Sequence, residues 1–265
     1  MSNDILIRAA ETPADYRACQ DAQRRAWGLT DEGYVVPVAT LVGAQLHGGL
    51  VLGAFLPSGE AVGVSFAFLG WIEERLGLYS QLTGVVPGYQ GHGIGGRLKH
   101  YQRDVARQRG LAVIAWAFDP LQAGNAHFNL DRLGATARRC VVDMYGPRTD
   151  ALNAGAPTDR LIAEWETEAS PRSKARAIDG LPALIAESGR VTLDSTVPEV
   201  FLEIPEDITR LRRESPALAS ACQQAVRQAF LSAFDAGYRA VAFLRDQAHG
   251  ARRCGYLLVN DRAHS

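Results

Sequence analysis

A glycine-rich turn between an apolar strand and an amphipathic helix constrains this chain more than any other feature of its sequence. Residues 78–86 predict a strand that ends at Pro87-Gly88, and residues 89–96 (YQGHGIGG) carry four glycines. From Ile94 to residue 109, apolar side chains recur at helical spacing. A strand, turn and helix in this order present unpaired backbone N–H groups and the positive end of the helix dipole, which together favour binding of a phosphate group.

Two classes of phosphate binder fit this turn. Gly91, Gly93 and Gly96 match the GxGxxG fingerprint of dinucleotide-binding folds, and Asp119 follows where a ribose-binding acid is expected. Against that interpretation, residues 87–90 separate the strand from the first glycine, and a run of meander-like strands precedes the motif. These differences weaken the dinucleotide interpretation, which stays as the alternative to the second class, an acyl-CoA loop whose support is a family resemblance.

The rest of the N-terminal sequence predicts an ordered series of strands and helices. Thr12-Pro13-Ala14-Asp15 has the pattern of a helix N-cap, a first-turn proline and a capping acid. Residues 71–77 predict a charged loop, and residues 111–118 a strand buried on both faces. The other predicted elements are strands at 5–8, 49–55, 61–69, 137–144 and 161–165, and a helix at 123–134.

Val85-Val86-Pro87 followed by Gln90-Gly91-His92-Gly93-Ile94-Gly95 resembles motif A of the GNAT acyltransferase superfamily, and residues 118–135 resemble its motif B. The order of elements over residues 5–165 is also similar to that superfamily, in particular to a little-characterised two-domain bacterial branch. The resemblance implies an α/β fold of the α+β type, in which helices flank a mixed, mostly antiparallel sheet and a smaller C-terminal α/β domain follows.

The resemblance also implies a set of CoA-binding residues. The strand before the turn would pair with the pantetheine arm, and the turn would hold the pyrophosphate. Asn125 and Phe128 would contact the CoA arm, although a helix cap is an alternative role for Asn125. The strand residues are Leu82, Val85 and Val86, and the turn residues are Gln90, Gly91, His92, Gly93, Ile94, Gly95 and Gly96.

Acyl transfer to an amine needs a neutral nucleophile, a polarised thioester carbonyl and a proton for the departing thiolate. The N–H of Val85 or a near neighbour is the expected oxyanion donor. Many relatives use a Tyr as the general acid, four residues before the glycine that ends motif B. Leu130 stands at that position here. The candidates for a general base are Asp119, Glu73 and Ser80, with Glu74, Gln81 and His127 as further choices and water relay as the alternative.

The expected donor is acetyl-CoA or succinyl-CoA, and the expected acceptor is a small-molecule amine or an amino acid. A carboxylate substrate needs an arginine, and the candidates are Arg75, Arg138, Arg139 and Arg148. A CoA-binding regulatory or structural module without catalysis is the alternative from a different class, because the acidic Tyr is missing.

Composition limits the other partners. With 28 basic and 29 acidic residues the net charge is −1, which argues against nucleic acid, and no apolar run suits a membrane span or a signal peptide. The four cysteines are widely spaced, so neither a metal site nor disulfides are expected in a cytoplasmic protein.

The expected domains are 1–166 and 178–265 with a linker at 167–177. The sequence leaves the role of the C-terminal domain open between covering the acceptor site, forming a homodimer, and both.

Overall fold

The structure, a computed structural model, describes residues 4–146, 155–169, 177–187, 190–193, 196–246 and 253–260. Its contacts divide the chain into two compact units. The N-terminal unit comprises Met1–Trp116 with Glu166–Glu168, and the C-terminal unit comprises Ala117–Trp165 with Ala169–Ser265. The two units show where contacts within the chain are dense, and that does not test where one domain ends and the next begins. The domains expected from the sequence therefore stay a prediction.

The N-terminal unit is a sheet with helices on both faces. Its strands lie in the order β1-β2-β3-β4-β5, and every neighbouring pair is antiparallel except β4 and β5, which are parallel. The predicted mixed, mostly antiparallel sheet flanked by helices is therefore confirmed. The elements are β1 (Leu6–Ala9), α1 (Pro13–Trp27), α2 (Val38–Leu46), β2 (Leu50–Phe55), β3 (Ala61–Ile72), β4 (Arg75–Val85), α3 (Ile94–Gln108) and β5 (Val113–Phe118), with a 3-10 turn at Glu32–Tyr34.

Strand β2 shows how this sheet is buried on both sides. Val51 packs in one apolar cluster with α1 and α2, whereas Leu52 and Ala54 pack in another with α3. Alternate side chains of a strand point to opposite faces, so all six residues of β2 are buried. The helix that follows the glycine-rich turn is thereby fixed against the sheet.

Helix α1 begins as the sequence predicts. Thr12 is the N-cap and its hydroxyl accepts the Asp15 N–H, while the Asp15 carboxylate accepts the Thr12 N–H, which completes a capping box. Arg8 pairs with the same carboxylate through two hydrogen bonds of 2.9 and 2.7 Å and holds the pKa of Asp15 well below its usual range. Gly28 ends the helix in the left-handed conformation.

The predicted charged loop at 71–77 is wrong. Strands β3 and β4 continue through that region as a hairpin whose two-residue turn is Glu73-Glu74, with Ile72 opposite Arg75. The charges that suggested a loop are confined to the turn and to Arg75. Trp71 and Leu76, which lie opposite each other, keep the apolar character that favours strand pairing.

In the C-terminal unit, a five-stranded antiparallel arrangement runs β7-β6-β11-β12-β10, and β8 pairs with β9 in a separate two-stranded sheet. The helices are α4 (Ala123–Ala126), α5 (Ile208–Glu214) and α6 (Pro216–Asp235), and a π-helical turn spans His127–Arg132. The strands are β6 (Thr136–Val141), β7 (Arg160–Glu166), β8 (Ile185–Glu187), β9 (Arg190–Thr192), β10 (Glu199–Glu203), β11 (Tyr238–Asp246) and β12 (Arg253–Asn260).

The core of this unit forms between α6 and the strands. The rings of Phe230 and Tyr256 meet edge to face at 5.0 Å, and Phe243 meets Tyr256 in the same way at 5.1 Å. Among the helices in the described ranges, none combines the length and apolarity that a membrane crossing requires.

Candidate functional site

The glycine-rich turn starts where β4 leaves the sheet. Val86 N–H still donates to Val62 O at 3.0 Å, and Tyr89 N–H then donates to Val86 O at 3.0 Å, which closes a turn around Pro87-Gly88. The side-chain amide of Gln90 donates to Val85 O at 3.0 Å. This bond ties the turn back to the end of the strand.

Helix α3 begins with open N–H groups. Its N-cap, Gly93, has φ 76° and ψ 1°, and its first helical hydrogen bond runs from Arg97 N–H to Gly93 O at 3.0 Å. The N–H groups of Ile94, Gly95 and Gly96 precede that bond, so none has an acceptor within the helix. A Cβ built on Gly93 would meet no atom within 4 Å, so positive φ rather than lack of space is what favours glycine there.

A β-bulge interrupts β4 just before the turn. Phe66 lies opposite Leu82 and Ala67 lies opposite Ser80, so Gln81 is the extra residue. Because Val86 bonds to β3, the alternation of an antiparallel ladder directs the peptide groups of Thr83 and Val85 away from β3.

Strands β4 and β5 part before they reach this region. Their parallel ladder contains only Leu78 opposite Ile114 and Tyr79 opposite Ala115 among the described residues. The strands approach closely beside that ladder, since a Cβ on Gly77 would lie 2.5 Å from Val113 O. The outward-facing peptide groups of Thr83 and Val85 therefore lie beyond the last pair, where an extended ligand with amide groups can hydrogen-bond to them as an added strand would.

These observations refine the predicted pantetheine contacts. Val85 presents its peptide group outward, as the prediction requires, whereas the peptide groups of Leu82 and Val86 face β3 by the same alternation. Thr83 was missed by the sequence analysis. The two-residue period of a strand, counted back from Val85, is the signal that could have found it.

A buried polar cluster lies between β4 and α3. Lys99 Nζ donates to Ser80 Oγ at 2.9 Å and to Gln102 Oε1 at 3.4 Å, and it lies 3.7 Å from the centre of the Trp116 ring. Burial lowers the pKa of Lys99 to about 7. Ser80, a candidate base, is 3% exposed and its hydroxyl is directed at Lys99, so the structure places it in the core beneath the sheet.

The other base candidates of the N-terminal unit lie at the far end of the hairpin. Glu73 and Glu74 are exposed in the β3–β4 turn, and Glu73 has φ 52°. Gln81, the bulge residue, lies seven positions after Glu74, about 23 Å along an extended strand. Arg75, a candidate carboxylate partner, forms two hydrogen bonds of 2.9 Å with Glu166.

In the C-terminal unit, Asp119 has structural partners. Its carboxylate accepts the Leu121 N–H at 2.9 Å and lies 3.4 Å from the Arg212 guanidinium, and both side chains are largely buried. Tyr256 donates its hydroxyl to Pro120 O at 2.6 Å. These bonds fix the chain as it leaves β5. Both carboxylate oxygens of Asp119 therefore have partners, whereas a ribose-binding acid needs a free carboxylate edge, and this weakens the dinucleotide alternative.

The motif B residues lie on α4 and the π-helical turn. Asn125 is exposed and is the third residue of α4, whose N-cap is Gln122, so the capping role considered for Asn125 is wrong. Phe128 is half-buried, and Leu130 is 1% exposed, in the core of the unit. His127 Nδ1 lies 3.3 Å from Asp131 Oδ2 without hydrogen-bond geometry, and burial, assisted by Arg245, lowers the pKa of His127.

Two further candidates for binding a carboxylate, Arg138 and Arg139, lie exposed on β6. Arg138 pairs with Glu164 at 3.3 Å. Arg148 and residues 170–176 of the predicted linker lie outside the described residues. In the part of the chain that the structure describes, no group of three or more His, Cys, Asp or Glu side chains could hold a metal ion.

Comparison with solved structures identifies the fold. No protein-family model matches the sequence, and no curated protein matches it. The structure of yncA from Salmonella typhimurium, described as an acetyltransferase with its cofactor acetyl-CoA, superposes with a TM-score of 0.51 at 22% identity, over 65% of this chain and 100% of that one. An N-acetyltransferase from Staphylococcus aureus Mu50 gives a TM-score of 0.51 at 14% identity, over 63% and 100% of the two chains.

This is the GNAT fold. The resemblance found in the sequence is thereby confirmed for the fold. The GNAT fold also accounts for the parallel β4–β5 pair in an otherwise antiparallel sheet, a topology that differs from the doubly wound parallel sheet of a dinucleotide-binding domain.

Proposed function

We propose that this protein is a CoA-dependent N-acyltransferase, which moves an acyl group from acetyl-CoA or succinyl-CoA to the amine of a small molecule, with amino acids among the candidate acceptors. One observation carries the proposal. Strands β4 and β5 part after two residue pairs, and the freed edge of β4 leads directly into a turn whose N–H groups are open at the start of α3.

The chemistry of CoA fits this edge and turn. Its pyrophosphate needs N–H donors and a positive potential, which the turn at 90–96 and the α3 dipole supply. Its pantetheine arm contains amides, which the outward-facing peptide groups of this edge, beginning with that of Val85, can bind. The Salmonella relative in the comparison was solved with acetyl-CoA, which supports the same ligand here.

The proposed mechanism depends on positioning. Binding both substrates brings the amine to the thioester and removes the entropy cost of their encounter. An N–H donor on the freed edge of β4, at Val85 or the neighbouring Thr83, stabilises the developing oxyanion. Glu73 is not part of the proposal because it lies at the hairpin tip, and neither is Ser80, whose hydroxyl is directed at Lys99. Water takes the amine proton and returns a proton to the departing CoA thiolate, and Asp119 stays a prediction.

The test is amine-dependent release of free thiol. The protein is mixed with acetyl-CoA or succinyl-CoA and a panel of L- and D-amino acids and amines, and CoA binding is measured separately by calorimetry. Thiol release that needs both donor and amine supports the proposal. CoA binding without release under any pairing contradicts it and supports a non-catalytic CoA-binding module, while NAD(H) binding without CoA binding supports the dinucleotide alternative.

The acceptor panel also tests the proposed partners. If the acceptor or the acyl group carries a carboxylate, a variant of Arg138 or Arg139 raises its KM with little change for a neutral amine. A cytoplasmic location and a homodimer belong to the same proposal, and size-exclusion chromatography with light scattering measures the oligomeric state.

A further inference from the structure

The helix that carries the anion-binding turn also holds the β4 bulge. Lys99 and Gln102 lie on α3, and their side chains reach the two sides of the bulged residue Gln81. Lys99 contacts Ser80, which immediately precedes the bulge. On the other side, the Gln102 amide donates to Ser65 Oγ at 3.3 Å, and Ser65 Oγ lies 2.9 Å from Thr83 Oγ1. A continuous chain of polar contacts therefore spans the bulge.

Lys99 also marks the point where the strands part. The last pair of the β4–β5 ladder is Tyr79 with Ala115, and the next residues on the two strands are Ser80 and Trp116. Lys99 Nζ contacts both of them, with a hydrogen bond to the first and a cation–π contact to the second. The ammonium group thus lies beneath the apex of the opening between β4 and β5.

Such a group is costly to keep in the core. Lys99 is 3% exposed, and among the described residues no carboxylate pairs with its ammonium group. A buried charge is ordinarily paired, and an apolar residue of similar volume would avoid the desolvation cost. A function that depends on this placement explains why the core contains it.

We propose that Lys99 is a positioning residue of the acyl-transfer site, which with Gln102 fixes the β4 bulge so that the peptide group of Thr83 meets the thioester in a set orientation. The inference rests on the proposed function. Lys99 does not touch substrate in this proposal. It acts through Ser80, while Gln102 acts through Ser65 and Thr83.

The experiment compares Lys99→Met with His100→Met, a matched control on the exposed neighbouring position of the same helix. Met keeps the length of the Lys side chain without its charge or its hydrogen bonds. We expect Lys99→Met to lower kcat by about tenfold or more, with the KM for acyl-CoA and the Kd for CoA changed by less than about twofold. The control keeps kcat within about twofold of the wild type.

Hydrogen exchange supplies a readout that does not depend on turnover. Loss of the polar chain loosens the bulge, so the amides of residues 81–85 exchange about tenfold faster or more in Lys99→Met, while those of β2 do not change. Ser80→Ala, which removes only the partner of Lys99, is expected to lower kcat in the same direction, and its effect is not additive with that of Lys99→Met.

Two results would overturn the inference. One is a folded Lys99→Met protein whose kcat and bulge exchange match the wild type. The other is a parallel loss of kcat and of CoA affinity, which indicates general disruption of the unit. Failure of the proposed function is distinct, because it appears in the wild type as an absence of amine-dependent thiol release. If Lys99→Met does not fold, Ser80→Ala decides the question by the same two measurements.

Discussion

The protonation of Lys99 links the buried cluster to stability. The groups that face its ammonium are Ser80 from β4, Trp116 from β5 and Gln102 from α3, and none of them ionises near neutral pH. Burial alone lowers the pKa of Lys99 to about 7. The unfolded chain, by contrast, keeps this proton until the pH approaches the ordinary value for lysine, about 10.4.

The stability of the wild-type protein should therefore rise with pH above 7. Between pH 7 and 8.5 the unfolded state binds more protons at Lys99 than the folded state, so the free energy of unfolding gains about 1 to 2 kcal/mol from this group. Urea unfolding at several pH values measures the slope, with Lys99→Met as the reference. Equal slopes in the two proteins would contradict the assignment.

Three cysteines limit the pH range of that rise in stability. Burial raises the pKa of Cys19 and Cys140 to about 12 and that of Cys254 to about 11. A raised folded-state pKa gives stability that is present below the unfolded pKa, about 8.5, and is lost as the pH rises toward the folded value. The free energy of unfolding should thus pass through a maximum near pH 8.5 to 9 and then fall in both proteins.

Gly93 should be essential to the turn because of its backbone conformation. At φ 76° an alanine is strained by about 1 to 2 kcal/mol, and relief of that strain would displace the open N–H groups of α3. We expect Gly93→Ala to raise the Kd for CoA by about tenfold or more while the unit stays folded.

Gly43 provides the matched control for this substitution. It lies within α2 at an ordinary helical φ, with no atom within 4 Å of a built Cβ. Gly43→Ala is therefore expected to stabilise the protein by about 0.5 to 1 kcal/mol and to leave the Kd for CoA unchanged. Calorimetric titration with CoA and thermal unfolding of the two variants distinguish a local effect on the turn from a general effect of a new methyl group.

Individual residues of the turn could be predicted, whereas the polar cluster could not. Gly91 and Gly93 stand in a local pattern, and local backbone conformation determines their positive φ values. Ser80 was predicted as a candidate base, but the direction of its side chain depends on the bulge at Gln81 and on a lysine 19 residues later. No spacing rule in one strand or one helix predicts that pairing.

Helix α1 shows how far local signals can determine an element. Its start and its capping box were both predicted, because each depends on residues within one turn of the helix. We expect Thr12→Ala to destabilise the protein by about 1 kcal/mol, since the Asp15 N–H loses its acceptor. Thr40→Ala, at an exposed position inside α2, is the control and should be neutral or slightly stabilising. Equal free energies of unfolding for the two variants, measured in urea, would contradict the capping role.

Elements without local signals were missed or misjudged. Helix α2 lies in an apolar segment with no side-chain cap on its N-terminal residue Pro37, so no start signal marks it. The two acids in the turn of the hairpin at 71–77 are typical of a loop. The pairing of Trp71 with Leu76 that makes this segment a hairpin is visible only in the structure. The bulge at Gln81 depends on the register between two strands, which a single segment does not reveal.

The long-range pairing of strands was the least predictable part of the fold. Strand β11 lies beside β6, with Ala240 opposite Ala137, so strands from the expected C-terminal domain extend the same sheet as β6 and β7. The sequence predicts a strand at 137–144 but contains no sign of this pairing, because about a hundred residues separate the partners. The two compact units therefore divide the chain at other points than the domain boundaries expected from the sequence.

Charge is another property of the full chain that bears on binding. Basic and acidic residues nearly cancel, and 26 of the 28 basic residues are arginine. Many of these arginines are paired with carboxylates within their own unit, as in Arg227 with Asp159 at 2.9 Å and Arg107 with Glu168 at 3.0 Å. Paired arginines contribute little long-range field, so an anionic ligand must be held mainly by local dipoles.

The affinity for CoA should consequently depend weakly on ionic strength. Peptide N–H groups at the start of α3 carry no net charge and release no counter-ions, unlike a cluster of unpaired arginines. We expect the Kd for CoA to rise by less than about threefold between about 0.05 and 0.5 M KCl at pH 7.5. Calorimetric titration at several salt concentrations measures this, and comparison with dephospho-CoA shows whether the 3′-phosphate adds a salt-sensitive contact. A rise of about tenfold or more that persists with dephospho-CoA would mean that charged side chains, rather than the backbone of the turn, hold the pyrophosphate.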